Sequence, residues 1–347
     1  MQSKERSGVF ICSGGSGGHM FPACALFYAT LRRGYDVSLV TDDRGDVFCN
    51  DITAKVVLKT LRFSPGNFPK TVFYLFRVFC KFLKFWLLKR PAVVIGFGGS
   101  FTIVPLLTAK ILRSKIVIYE QNAVLGRANR FLERFADLKL TSFELGDDWV
   151  QAPAPVREDF LQQRPYECAG ALRILIIGGS QGAASLLSII PGAMETLTLT
   201  ERQDLEIIQQ TANGGIDDLK KIYDGLRVKS TLKPFLHCVA EEMLMSQLVI
   251  CRSGASTLSE LAATGRPAIL IPYPRAADNH QLHNALSYKN RKAAWVLEEK
   301  DGVAVELGQI LREILQNREL LKKASFHMMN GSSHRATDRF VELIERI

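Results

Sequence analysis

No acidic residue lies between Asp51 and Glu120, a stretch that carries twelve lysines and arginines. The deficit is local: residues 1–156 hold 21 basic and 12 acidic side chains and residues 157–347 hold 23 of each, so the net charge of +9 belongs to the first half. Such a surface suits an anionic partner, either nucleic acid or an anionic membrane. Nucleic-acid motifs are missing, and the aromatics of this half gather in one greasy run rather than on a stacking platform, so no nucleic-acid partner is expected. Paired cysteines are missing too. Seven thiols are scattered with no C-x-x-C, which argues against a disulfide framework or a zinc site and fits a reducing cytoplasm. H-E-x-x-H is absent, and His280 and His283, though spaced to share a helix face, have no further ligand candidates nearby; neither a metal nor another cofactor is expected. The apolar stretch 9–12 gives way at once to glycine and is too short for a secretory or spanning segment.

What is present fills two cores: 347 residues, 47% hydrophobic and 23% charged. Apolar runs of strand length recur at 8–12, 37–41, 92–96, 116–119, 172–177, 205–209, 248–251 and 268–272, separated by helix-compatible stretches. This alternation predicts an α/β fold, and unbroken apolar runs suit parallel strands buried on both faces. Three prolines interrupt the pattern in QAPAPVREDFLQQRP at 151–165, where the linker between two domains is expected.

A weak repeat marks the two halves. FICSGGSGG at 10–18 and LIIGGSQGA at 175–183 each read as strand, glycine turn and helix start. Glycine lets a backbone approach a ligand closely, and the helix that follows favours an anion, so each half offers one phosphate-type site, expected at the carboxyl ends of the strands and between the domains. Either turn alone could equally be a tight connection that binds nothing. A dehydrogenase is the obvious rival, since Gly15-Ser16-Gly17 begins like G-x-G-x-x-G and Asp42 ends the next strand, but Met20 occupies the place of the third glycine. A P-loop signature occurs nowhere.

Six segments, in order, carry a specific resemblance: GGSGGHMFPA (14–23), YEQNAVLGRANR (119–130), PVR (155–157), GGSQGA (178–183), CRSGASTLSELAATGRPAILIPYP (251–274) and DNHQLHNA (278–285). Together they resemble the MurG family, UDP-N-acetylglucosamine:undecaprenyl-pyrophosphoryl-muramyl-pentapeptide transferases. The resemblance implies the GT-B architecture of two Rossmann-like domains facing across a cleft. Residues 1–155 would bind acceptor and membrane, residues 156–347 would bind the UDP-sugar, and the last helix would pack back on the first domain. It implies His19 as catalytic base, with Glu120 in reserve, and Ser16, Gly17, Gly18 and Asn122 at the acceptor. Ser180 would meet phosphate, Leu236 the uracil through its backbone, and Arg157 the nucleotide's surroundings. Ala255, Ser256, Thr257, Leu258 and Ser259 would form the diphosphate-binding helix start, Glu260 would take the ribose diol, and Gln281 and Asn284 the sugar hydroxyls. These roles suit the residues: a helix start favours a neutral imidazole at His19, a carboxylate can accept from both hydroxyls of a cis-diol, and Gln281 and Asn284 sit one helical turn apart. Read without the resemblance, Glu260 would be an ordinary solvated helix residue. Ser16 stands where the family more often has threonine, and GFGGSFTIVP at 96–105 keeps only the glycines of G-x-GGY-x-S-G-P, leaving the acceptor loop unassigned.

The implied reaction transfers N-acetylglucosamine from UDP to the 4-hydroxyl of a polyprenyl-pyrophosphoryl muramyl lipid, with inversion, in peptidoglycan synthesis. A related transferase acting on diacylglycerol is the alternative. Residues 72–90, VFYLFRVFCKFLKFWLLKR, place Arg77, Lys81 and Lys84 on one helical stripe amid Phe, Leu, Val and Trp86. The segment is expected to lie in an anionic membrane interface without spanning it, which would make the protein peripheral at the cytoplasmic face of the bacterial inner membrane; the bland alternative is a buried helix whose lysines snorkel outward.

Overall fold

The computed structural model describes residues 6–58, 68–162, 164–178, 184–211, 215–329 and 336–347, with side chains of 6, 7 and 68–75 left aside. The chain divides into two compact units after Arg157, and the described residues from 336 onward join the first.

In the first unit the chain runs β1 (Arg6–Cys12), α1 (Gly17–Arg32), β2 (Tyr35–Asp42), β3 (Lys55–Leu58), α2 (Phe68–Lys89) and β4 (Val93–Gly96). It continues through α3 (Ile103–Ile111), β5 (Lys115–Glu120), α4 (Arg127–Leu132), β6 (Leu138–Thr141) and β7 (Val150–Gln151). The strands form one parallel sheet in the order β3-β2-β1-β4-β5-β6-β7. Alternate residues of β1 serve opposite faces, as strand geometry requires. Val9 and Ile11 belong to the core shared with α1, whereas Phe10 and Cys12 belong to the core under α2 and α3. Burial on both faces is why the central strands read as unbroken apolar runs.

The second unit begins with β8 (Leu172–Ile177), α5 (Leu186–Glu195), α6 (Leu199–Gln203), β9 (Leu205–Gln210), α7 (Ile216–Gly225) and β10 (Lys229–Lys233). Then come α8 (Val239–Met245), β11 (Leu248–Cys251), α9 (Ala255–Thr264), β12 (Ala268–Leu270), α10 (His280–Asn290), β13 (Ala294–Val296), α11 (Val303–Gln316) and α12 (Glu319–Met329). Its parallel sheet has the order β10-β9-β8-β11-β12-β13. The last helix, α13 (Ala336–Ile344), packs on α1 of the first unit and adds Phe340, Val341 and Ile344 to that unit's core.

The α2 segment corrects one expectation. Phe82 and Trp86 do not face outward: they are 2% and 0% exposed. Trp86 packs edge-on against Phe10 at 4.9 Å, and its Nε1 donates to the Pro105 carbonyl at 3.0 Å and to Thr108 Oγ1 at 3.1 Å. An indole N–H that finds partners in the core explains why so large a ring is buried there. Phe76, Arg77, Cys80, Lys81, Lys84, Leu87 and Leu88 form the exposed face instead. No helix among the described residues is long and apolar enough to cross a membrane.

Candidate active site

Both sheets reverse their winding once. From β1 the chain proceeds outward to β2 and β3, then crosses to β4 on the other side; β8 and β11 repeat the arrangement. The connections leaving the carboxyl ends of two such neighbouring strands part from each other and leave a crevice where ligands of α/β folds bind.

In the first unit that crevice is lined by the turn after β1 and the loop after β4. Asp42, fully buried at the end of β2, organises the turn: its Oδ1 accepts from Gly15 N at 2.9 Å and Gly45 N at 2.8 Å, and its Oδ2 from Arg44 Nε at 3.2 Å and Nη2 at 3.0 Å. A side chain at Gly14 would press on that carboxylate at 3.0 Å, and Gly15 has φ +87°, a conformation that favours glycine. Asp42 is therefore a scaffold for the turn, not the ribose ligand a dehydrogenase would need. Ser16 stands in extended conformation before α1, and its carbonyl accepts from His19 N and Met20 N at 3.1 Å each. Gly17 and Gly18 occupy the first helical turn, where backbone N–H groups lack partners within the helix and point toward any bound anion.

His19 comes next, and its tautomer follows from geometry. Nδ1 lies 2.6 Å from the Phe97 carbonyl oxygen. A carbonyl only accepts, so Nδ1 carries a proton and, in the neutral ring, Nε2 keeps the lone pair. Gln121 Nε2 is 2.9 Å from the same Nδ1 and its buried Oε1 has no partner; half a turn of the amide makes Oε1 a second acceptor for that proton. Gly98 passes beneath the ring with φ +79°, where an added Cβ would stand 3.2 Å from His19 Cε1.

Glu120, at the end of β5, is 3% exposed and fully engaged. Oε1 accepts from Asn122 N and Asn122 Nδ2, both at 3.1 Å, and Oε2 from Gly126 N at 2.9 Å and Asn129 Nδ2 at 2.8 Å. Four donors on two oxygens make it the organiser of the 121–126 loop. Arg157 places its guanidinium over the Phe21 ring of α1 at 4.9 Å, within the first unit.

In the second unit, Ser180 lies outside the described residues. Arg252, which sequence reading passed over, ties the crevice together. Its Nη1 donates to the carbonyls of Ile271 at 3.0 Å and Pro272 at 3.2 Å, its Nη2 donates to Ser185 Oγ at 2.8 Å, and it pairs with Glu299 at 2.6 Å. Next to it, α9 begins after Gly254 and ends at Gly265, whose φ of +64° closes the helix. Ala255, Ser256 and Thr257 form its first turn, Leu258 is buried, and Ser259 Oγ turns back to the Ala255 carbonyl at 3.0 Å. Glu260 is 8% exposed, which overturns its reading as a solvated helix residue. The start of α10 is clamped to the same loop: Ser253 Oγ donates to the Gln281 carbonyl at 2.7 Å, and Asn284 Nδ2 to the Ser253 carbonyl at 3.2 Å. Gln281 spends its side-chain oxygen on Tyr273 N at 2.9 Å. Asp278 and Asn279 precede this helix with φ of 49° and 53°, an unusual pair of left-handed residues without glycine. Leu236 is buried.

Comparison with known proteins agrees with this arrangement. The glycosyltransferase family 28 N-terminal domain matches residues 9–140, and the family 28 C-terminal domain matches residues 173–346. A UDP-N-acetylglucosamine–N-acetylmuramyl-(pentapeptide) pyrophosphoryl-undecaprenol N-acetylglucosamine transferase of Bartonella henselae is 35% identical, over 99% of this chain and 94% of the relative. The chain belongs to the MurG family. A transferase of the same name from Rhodospirillum centenum is 38% identical over 91% of this chain and 88% of its own. The crystal structure of Acinetobacter baumannii MurG superimposes with a TM-score of 0.82 at 26% identity, covering 99% of this chain and all of that one, 100%. The two parallel-sheet units of this MurG-family chain thus have the GT-B architecture.

Proposed function

We propose that the chain transfers N-acetylglucosamine from UDP-N-acetylglucosamine to the 4-hydroxyl of undecaprenyl-pyrophosphoryl-N-acetylmuramyl-pentapeptide, the reaction named for its relatives, as a step of peptidoglycan synthesis. None of the relatives named above is a diacylglycerol transferase. The observation that carries the chemistry is His19: with its Nδ1–H hydrogen-bonded to the Phe97 carbonyl, Nε2 is the nitrogen that can accept a proton in the neutral ring. The acceptor oxygen bonds to C1 of the sugar as the bond from C1 to the UDP oxygen breaks, the hydroxyl proton passes to Nε2, and the configuration at C1 inverts. Gly17 and Gly18 would receive the acceptor pyrophosphate beside Ser16. The first turn of α9 and Ser180 would receive the UDP diphosphate, whose growing charge the helix start favours. Glu260 would hold the ribose, Leu236 the uracil, and Gln281 and Asn284 the sugar hydroxyls.

Glu120 positions Asn122 and the acceptor loop in this reading, since its oxygens are already occupied. The exposed basic and apolar face of α2 would rest on an anionic membrane that holds the lipid acceptor, and would keep the enzyme peripheral on the cytoplasmic side. The test is turnover of UDP-N-acetylglucosamine with a synthetic muramyl-pyrophosphoryl-polyprenol. His19→Gln is expected to lose roughly a hundred- to ten-thousandfold in kcat, the usual weight of a general base, with UDP affinity unchanged. Near-normal kcat in that variant would assign the base elsewhere.

A further inference from the structure

Two groups hold the imidazole of His19: the Phe97 carbonyl, and the side-chain amide of Gln121, which follows the end of β5. The side chains of Phe97 and Tyr119 meet in the core at 5.2 Å between ring centroids. A third ring completes the group from the far end of the sequence. Phe340 of α13 stacks on Phe97 at 5.9 Å with 12° between planes, and meets Tyr119 edge-on at 5.1 Å. All three rings are 0% exposed. The Tyr119 carbonyl also accepts from Asn129 Nδ2 at 2.9 Å, the amide that reaches Glu120. Polar contacts at the surface hold α13 in register: Arg33 with Asp338 at 3.1 Å and with Glu345 at 3.6 Å, and Tyr35 Oη with Glu345 at 2.6 Å.

We propose that Phe340 is a positioning residue for His19, acting through the Phe97 and Tyr119 rings to hold the Phe97 carbonyl where it fixes the Nδ1–H tautomer. The inference rests on the reading of His19 as base, but its mechanism is separate from that reading. Close-packed interiors transmit displacement. Removing the phenyl ring leaves Phe97 and Tyr119 without the surface they rest on, and a shift of a few tenths of an ångström lengthens the bond to Nδ1. The proton is then able to move to Nε2, which leaves the lone pair on Nδ1 and takes from Nε2 its capacity to accept the hydroxyl proton.

The experiment compares full-length wild type, Phe340→Ala and Phe340→Leu, the last keeping most of the volume without a stackable ring. Three quantities are read: kcat with a synthetic muramyl-pyrophosphoryl-polyprenol, UDP affinity by calorimetry, and the His19 tautomer from long-range proton–nitrogen correlation with His19→Gln assigning the signal. The wild type is expected to show the Nδ1–H form alone. Phe340→Ala should show both tautomers and a kcat reduced by up to roughly a hundredfold, the cost of a small misplacement at a reacting group, and Phe340→Leu should fall between. UDP affinity should stay within about twofold, because the donor groups lie in the other unit. If Phe340→Ala does not fold, Phe340→Leu decides alone. An unchanged tautomer in folded variants, whatever happens to kcat, overturns the proposal, as does a loss of UDP affinity in step with kcat. Should His19→Gln itself turn over normally, the base assignment fails while the tautomer measurement still judges the role of Phe340.

Discussion

At the scale of single residues, His19 and Asp42 show how much of a site is decided by neighbours that are distant in sequence. The glycine turn and histidine can be read from GGSGGHMFPA, but the Phe97 carbonyl that sets the tautomer belongs to a loop where only the glycines matched the family pattern. No local signal says which carbonyl a ring will meet. Asp42 was visible as an acid at a strand end, yet whether it faces a ribose or its own chain's N–H groups depends on the fold of the 42–45 turn. Glu260 is buried, and a buried carboxylate offered to a ribose diol should contribute strongly to binding. In calorimetry, Glu260→Ala is expected to weaken UDP binding about ten- to a hundredfold, the worth of hydrogen bonds to a charged group. Unchanged affinity would remove the ribose assignment.

Glu242 supplies a pH dependence away from the chemistry. Burial, the largest single influence, opposes ionisation of this carboxyl, but Lys233 at 3.0 Å and Arg173 at 2.7 Å together outweigh it and hold it below the usual glutamate range. A depressed folded-state value means that the stabilisation is complete above the unfolded value and is lost as pH falls through the folded one. Glu242→Gln should therefore cost about 1.5–3 kcal/mol at neutral pH, and the gap from wild type should close in acid. Urea unfolding at several pH values checks this; a gap independent of pH would contradict it.

Among the elements, central strands were legible and edge strands were not. β1, β4, β5, β8, β9 and β11 carry apolar residues on both faces and stood out as runs, whereas KVVL of β3, KSTLK of β10 and AWV of β13 lie at sheet edges, short or partly polar, and give little periodic signal. For α2 the sequence showed an apolar circumference with a basic stripe but not which part of that circumference the sheet would claim. Trp86 goes inward because Pro105 and Thr108 can satisfy its N–H. The membrane test must therefore use the exposed residues. Replacing Phe76, Leu87 and Leu88 by serine is expected to abolish flotation with anionic liposomes while leaving the unfolding free energy within about 0.5 kcal/mol of wild type per site, as befits surface positions. Full flotation of that variant would detach the membrane from α2.

For the whole molecule, the same doubly wound plan appears twice; the first copy places the glycine turn before α1 at its winding reversal and the second the start of α9, while residues 179–183 lie outside the described ones. That duplication could be read from the repeat of strand, glycine turn and helix start, because it is written in local sequence. The placement of α13 could not be read from its own pattern: an amphipathic helix records which face is apolar, not which core will receive it. Here it completes the core of the unit in which the chain began.

The central claim is tested most directly by supplying UDP-N-acetylglucosamine with a muramyl-pyrophosphoryl-polyprenol, measuring UDP released and determining the new linkage by NMR. One UDP should appear for each β-linked N-acetylglucosamine on the 4-hydroxyl. UDP released at the same rate without acceptor, an α-linkage, or transfer to diacylglycerol instead would contradict the account.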